Sequence, residues 1–125
     1  MQMILAIGLG GALGAILRHF MAGAITRWFG SGFPLGIMLV NILGSLLMGF
    51  LVTALATRFE ASPEMRGFIA VGLLGGFTTF STFSLETVLL MERGELMQAA
   101  LYILGSVFLA VAGLMAGMWL ARTLL

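Results

Sequence analysis

The sequence lacks cysteine altogether, and it contains neither lysine nor aspartate among its 125 residues. Without cysteine the chain has no disulfide framework, no thiolate metal site and no thiol nucleophile. Charged residues make up only 9% of the chain, whereas a soluble globular domain has about 25%. This scarcity of charge excludes an ordinary soluble domain. The net charge of +1 also offers no clustered basic surface, which excludes nucleic acid as a partner.

What the chain does have is hydrophobic sequence, 61% of all residues, arranged in long stretches without a single charge. Each stretch is close to or above the length of about 17 to 25 residues that crosses the hydrocarbon core of a bilayer. We therefore expect an all-α membrane protein whose single domain covers residues 1–125. The predicted spans are residues 3–25, 34–57, 65–90 and 96–120.

The middle of the predicted third span is unusual for a transmembrane helix. Residues 75–84 read GGFTTFSTFS, which combines two glycines with hydroxyl and aromatic side chains. Adjacent glycines followed by β-branched residues weaken a helix, and Ser and Thr can hydrogen-bond the backbone locally. A broken helix at membrane depth is tolerated only where its freed backbone groups face protein or a watery cavity. Such breaks carry ion sites in transporters and channels, so this segment predicts ion binding.

Two phenylalanines follow the expected break. Phe80 and Phe83 are three residues apart and share a helix face, while Ser81 and Thr82 offer hydroxyls on neighbouring faces. Because the edge of an aromatic ring is electropositive, two ring edges can guide a small anion as it loses its water. The alternative is that the rings only pack and the hydroxyls only bond back to their own helix.

Polar residues also lie inside the second and fourth spans. Asn41 either lines a polar path or joins two helices through its amide. Tyr102 and Ser106 are four residues apart and so lie on one helix face, where they form a polar track or pair with another helix.

Charged residues within the spans have equally open interpretations. Arg18 is either a vestibule cation that attracts anions or a residue that snorkels to the interface. Glu86, about one turn beyond Phe83, ends a pathway or marks the interface. The single histidine, His19, fits an interfacial residue better than a metal ligand, since no second histidine completes a site.

The arginines are divided evenly between the two sides of the predicted bundle. Membrane proteins normally orient by an excess of Lys and Arg in cytoplasmic loops, and this chain has none. Two copies inserted in opposite orientations would form an antiparallel homodimer about an axis in the membrane plane. The alternative is a weak bias set by other loop features. One side carries Arg58, Arg66 and Arg122, and the other carries Arg27 and Arg93, with Arg18 added if it snorkels.

Eighteen glycines would weaken isolated helices, but in lipid they let helix backbones approach closely. We expect most of them to serve helix packing. The pairs spaced for this role are Gly10 with Gly14, Gly32 with Gly36, Gly72 with Gly76, and Gly113 with Gly117.

Three segments, residues 10–18 (GGALGAILR), 40–44 (VNILG) and 75–83 (GGFTTFSTF), resemble the Fluc (CrcB) fluoride channels in order and spacing. The resemblance extends over essentially the whole chain, and the TTFSTF run is highly specific. His19 departs from the family, whose members often have tyrosine at that position.

The resemblance implies a dual-topology antiparallel homodimer with two pores that passively export fluoride from the bacterial cytoplasm, in the inner membrane. It also implies a central Na⁺ held by the backbone carbonyls of Gly75 and Thr78 from both subunits. By the same resemblance, the pore residues are Phe80 and Phe83 (the Phe box), Asn41, Ser81, Thr82, Tyr102 and Ser106, with Arg18 and Glu86 in the vestibule.

Other functions fit the sequence less well. A small multidrug exporter is also a four-span dual-topology dimer, but it needs an acidic residue in its first span, and residues 1–17 contain none. A structural membrane oligomer would have little use for a polar, broken third span. No feature calls for enzymatic chemistry. If a close homologue with the opposite charge bias existed, a heterodimer would become possible.

Overall fold

A computed structural model describes all of residues 1–125, in which helices are joined by short connections and no strand is present. Four helical spans are long and apolar enough to cross a membrane, which confirms the predicted all-α, multi-pass fold. The third span, Pro63–Glu92, consists of α3 (63–77) and α4 (Phe80–Glu92). The other three spans are α1 (Gln2–Phe29), α2 (Leu35–Thr57) and α5 (Leu96–Leu124).

The helices at the two ends of the chain run past their predicted limits at residues 25 and 120. Each ends with an arginine in its last turn, Arg27 in α1 and Arg122 in α5. A cation stabilises the negative end of the helix dipole, and a transmembrane helix need not stop where the hydrocarbon core ends.

Short connections with defined turn chemistry join the spans. Gly30 and Gly94 end their helices with φ angles of 86° and 77°, in the left-handed region that favours glycine. The third span begins with a capped turn, in which the Ser62 hydroxyl accepts a hydrogen bond from the backbone N–H of Met65 at 3.1 Å and Pro63 occupies the first helical turn.

The predicted break in the third span lies at Thr78 and Thr79. Both residues have extended backbone conformations, with ψ angles of 159° and 122°, and α4 begins directly after them at Phe80. The preceding stretch of α3, Gly67–Leu74, is a π-helix, which sequence periodicity did not predict. Such wide turns are rare and occur often at functional sites.

Glycines bring α3 against α1 and α2 against α5 almost backbone to backbone. A Cβ atom at Gly14 of α1 would overlap the Leu73 carbonyl oxygen of α3 and lie 2.8 Å from the Phe77 nitrogen. Gly117 of α5 meets the α2 backbone in the same way. The predicted packing role is wrong for Gly32, which lies in the α1–α2 loop, where an added Cβ would have no neighbouring atom within 4 Å.

We expect Gly14→Ala to destabilise the protein by about 1–3 kcal/mol, the usual cost of overpacking a close contact. The added methyl meets backbone, which cannot rotate away. Gly8→Ala is the matched control, because it lies on the same helix with nothing within 4 Å of the added atom. Thermal denaturation of both variants in detergent measures the difference. Equal midpoints for the two variants would contradict the close approach of α1 and α3.

Candidate functional site

The side-chain amide of Asn41, on α2, forms hydrogen bonds to the broken segment. Asn41 Nδ2 donates to the Thr79 carbonyl at 3.1 Å, and the Thr79 backbone N–H donates to Asn41 Oδ1 at 2.8 Å. Both backbone groups of Thr79 thus find partners outside their own helix, which a break at membrane depth requires. Asn41 joins two helices through its amide, which was one of its two predicted interpretations, and it also lines a cavity described below.

The end of α3 is held from α1 by a guanidinium. Arg18 Nη1 donates to the carbonyls of Gly76 and Thr78, at 2.8 and 3.0 Å. These carbonyls lie at the C-terminal, electronegative end of α3, where a cation is favourable. The sequence did not predict this contact. Its only signal was the presence of an arginine within the first span of a protein whose third span is broken.

The hydroxyl groups after the break cap the start of α4. Thr79 Oγ1 accepts from the Thr82 backbone N–H at 3.2 Å and donates to Thr82 Oγ1 at 3.2 Å. Ser81 Oγ lies 3.3 Å from the same Thr79 hydroxyl, and Ser84 Oγ donates to the Phe80 carbonyl at 2.9 Å. Most of the hydroxyl groups in this segment therefore form hydrogen bonds with other groups of the same segment.

Phe80 and Phe83 contact each other, with ring centroids 5.5 Å apart, but their surroundings differ. Phe83 is buried and packs on Tyr102 with a centroid distance of 5.1 Å. Phe80 is 78% exposed on the outside of the single chain. One ring thus belongs to the core of the bundle, and the other is available to a lipid, an ion or a second chain.

A cavity of about 430 Å³, here called the break cavity, opens beside these rings. Ser106 lines it with a buried hydroxyl that has no hydrogen-bond partner, which is uncommon for a buried polar atom. Ser45 was not predicted, although it lies four residues after Asn41 and so on the same face of α2. The polar and aromatic residues that the break cavity brings together are Asn41, Ser45, Thr78, Thr79, Phe80, Phe83 and Ser106.

A second cavity, of about 460 Å³ and here called the arginine cavity, is lined by Arg18, His19, Thr82 and Glu86. Glu86 Oε2 accepts a hydrogen bond from the Tyr102 hydroxyl at 2.7 Å, and Tyr102 is fully buried. Tyr102 and Ser106 therefore contact different parts of the site. Gly75 and Ser81 line neither the break cavity nor the arginine cavity.

The carbonyls of Gly75 and Thr78 are suited in part to a cation. The Thr79 N–H would bond the Gly75 carbonyl in a regular helix, but it donates to Asn41 instead. The Thr78 carbonyl accepts from Arg18 and keeps a second lone pair. Neutral carbonyl oxygens are ligands for hard cations.

Comparison with known proteins gives one consistent result. Residues 5–118 match the family described as CrcB-like protein, Camphor Resistance (CrcB). A protein of Roseobacter denitrificans named "Fluoride-specific ion channel FluC" is 50% identical over 124 residues, covering 98% of this chain and 97% of the relative. Proteins with the same name from Phenylobacterium zucineum and Rhodospirillum centenum are 51% and 47% identical over 123 residues each, with at least 97% of every chain covered.

Proposed function

The chain belongs to the CrcB-like family, and we propose that it is a fluoride-selective ion channel through which cytoplasmic fluoride leaves the cell passively. The observation that carries this proposal is the nearly full-length similarity to relatives named fluoride-specific ion channels. The whole chain acts as a single four-helix transmembrane domain, and it performs transport without enzymatic chemistry.

The chemistry of fluoride explains why a passive channel suffices. Hydrogen fluoride is a weak acid that crosses membranes as a neutral molecule and ionises inside the cell. The membrane potential, negative inside, then drives the anion out through any selective leak. Because fluoride is small and strongly hydrated, the pore must replace its water with fixed donors and still release the ion.

The residues around the break cavity supply those contacts. The rings of Phe80 and Phe83 line this cavity and would offer their edges to the ion, and the unpartnered Ser106 hydroxyl would offer it a donor. Asn41 holds Thr79, and thus the start of α4, in place beside the path. Ser81, Thr82 and Tyr102 are further pore residues in this proposal, and Arg18 and Glu86, which line the arginine cavity, form the vestibule.

The functional unit in this proposal is an antiparallel homodimer in the bacterial inner membrane. The exposure of Phe80 supports a second chain, since one copy leaves this pore residue uncovered. The nearly even division of the arginines, three against two when Arg18 is left out, supports insertion in both orientations. Where the two breaks meet, the Gly75 and Thr78 carbonyls of both chains would hold a central Na⁺, whose charge would fix the four carbonyls around it.

Purified protein in liposomes is expected to release fluoride rapidly and chloride hardly at all. A fluoride electrode and a chloride electrode, used on matched vesicles with a potassium ionophore, measure the two fluxes. Equal fluxes would contradict selectivity. Transport of a lipophilic cation in exchange for protons would favour the small multidrug exporter, and absence of all transport would favour a structural oligomer.

A further inference from the structure

The arginine cavity continues into a third cavity toward the membrane surface. This loop cavity, of about 210 Å³, shares Thr26, Pro34 and Glu86 with the arginine cavity. Because the same three residues line both, the two cavities adjoin. Together they form one recess, here called the vestibule recess, between α1, the α1–α2 loop and α4.

Charged residues lie along the whole length of the vestibule recess. Arg18 is at the inner end, where it also contacts the break, and Glu86 is in the shared middle part. Arg93, after the end of α4, lines the loop cavity at the outer end. The pore function described above does not use Arg93.

Arg93 forms one ion pair. Its Nη2 lies 3.7 Å from Glu95 Oε2, and the two side chains are 53% and 40% exposed. With its amide oriented to satisfy its neighbours, Gln98 donates to Glu95 Oε2 and to the Gly32 carbonyl, both at 3.2 Å. Glu95 is thereby held at the α1–α2 loop, beside the outer end of the recess.

We propose that Arg93 and Glu95 form an electrostatic entrance that sets the local fluoride concentration at the outer end of the vestibule recess. This inference rests on the proposed fluoride channel function. A fixed positive charge in a recess with low-dielectric walls concentrates small anions, and an adjacent negative charge opposes it. Arg93 raises the rate at which fluoride enters, and Glu95 moderates that effect. Both act on access to the pore, whereas discrimination between anions belongs to the break cavity.

An ordinary surface ion pair would behave differently. Exposed ion pairs contribute little to stability. If Arg93 and Glu95 formed only such a pair, removal of either residue would break the same contact. Both single variants would then change flux in the same direction or leave it unchanged. An entrance predicts changes of opposite sign, because one variant removes a positive charge and the other a negative charge.

Fluoride flux of R93Q and E95Q, measured in liposomes at subsaturating fluoride with sodium gluconate as the screening salt, tests this proposal. At about 10 mM ionic strength, where the Debye length is about 30 Å, we expect R93Q to lower the flux about twofold and E95Q to raise it by a similar factor. At about 1 M, where the Debye length is about 3 Å, both variants should match the wild type.

R93K and the double variant R93Q/E95Q are the matched controls. Lysine keeps the charge at position 93, so R93K should retain most of the wild-type flux and its salt dependence. The double variant keeps the net charge and should lie between the two single variants at low salt. If the fluoride flux of R93Q and E95Q changed in the same direction, or if the changes persisted at about 1 M salt, the proposed electrostatic entrance would be wrong. A wild-type protein that conducts no fluoride at any salt concentration would instead overturn the proposed function.

Discussion

Replacing Phe83 with isoleucine should reduce fluoride flux about tenfold while the protein still folds and assembles. The Phe83 ring packs between Phe80 and Tyr102 at centroid distances of 5.5 and 5.1 Å and lines the break cavity. Isoleucine fills much of the same volume but has no electropositive ring edge. Edge interactions of aromatic rings are worth up to about 1.5 kcal/mol, and about 1.4 kcal/mol corresponds to a tenfold change in rate.

Phe80→Ile should have a comparable effect on flux with a smaller effect on stability, because Phe80 is 78% exposed in the single chain whereas Phe83 is buried. Phe108→Ile is the matched control, since Phe108 is 67% exposed on α5 and lines none of the three cavities. Size-exclusion chromatography checks assembly, and liposome flux checks conduction. If both Phe80→Ile and Phe83→Ile assembled and conducted like the wild type, the two rings would have only a packing role.

The break and the start of α4 follow from local sequence chemistry, which explains why they could be predicted. Adjacent glycines weaken the helix, and a threonine at position 79 can cap the next one, so residues close in sequence determine the result. The polar start of the third span, Ser62 and Pro63, is likewise determined by residues close in sequence. The hydrophobic stretches determine the four spans in a similarly direct way.

The partners that hold the break could not be predicted, because they come from other helices. Arg18 is 58 and 60 residues away from the carbonyls that it binds, and Asn41 is 38 residues away from Thr79. Sequence identified both as polar residues in apolar spans but did not specify their partners. Likewise, the three-residue spacing of Phe80 and Phe83 predicts a shared helix face, whereas their different burial depends on where α5 packs.

The contact between Arg18 and the break leads to the second large effect. Arg18→Met should prevent a stable channel from forming, because methionine keeps an apolar chain of similar length but donates no hydrogen bond. The Gly76 and Thr78 carbonyls would then lose the donor on which both depend. An unsatisfied polar group costs about 1–3 kcal/mol when it is fully buried, and each of these half-buried carbonyls should cost the lower part of that range.

The variant Arg18→Lys distinguishes two roles of Arg18. In the first, called bracing here, its hydrogen bonds hold the break in place, and in the second its charge only attracts anions. Lysine keeps the positive charge, but its ammonium lacks the planar array of donors that a guanidinium presents. Bracing predicts that the yield of monodisperse protein and the fluoride flux fall in the order wild type, Arg18→Lys, Arg18→Met. It also predicts that the loss of flux persists at about 1 M salt, where attraction by an exposed vestibule charge would be screened.

Arg27→Lys is the matched control for the replacement of an arginine, because Arg27 lies in the last turn of the same helix and is exposed, and lysine keeps the charge that bears on orientation. It should leave both yield and flux close to those of the wild type. An Arg18→Met protein with normal yield, and with a flux deficit that disappears in high salt, would show that Arg18 acts through its charge in the vestibule. In that case the Asn41 amide, with its two hydrogen bonds to Thr79, would hold the break without help from α1.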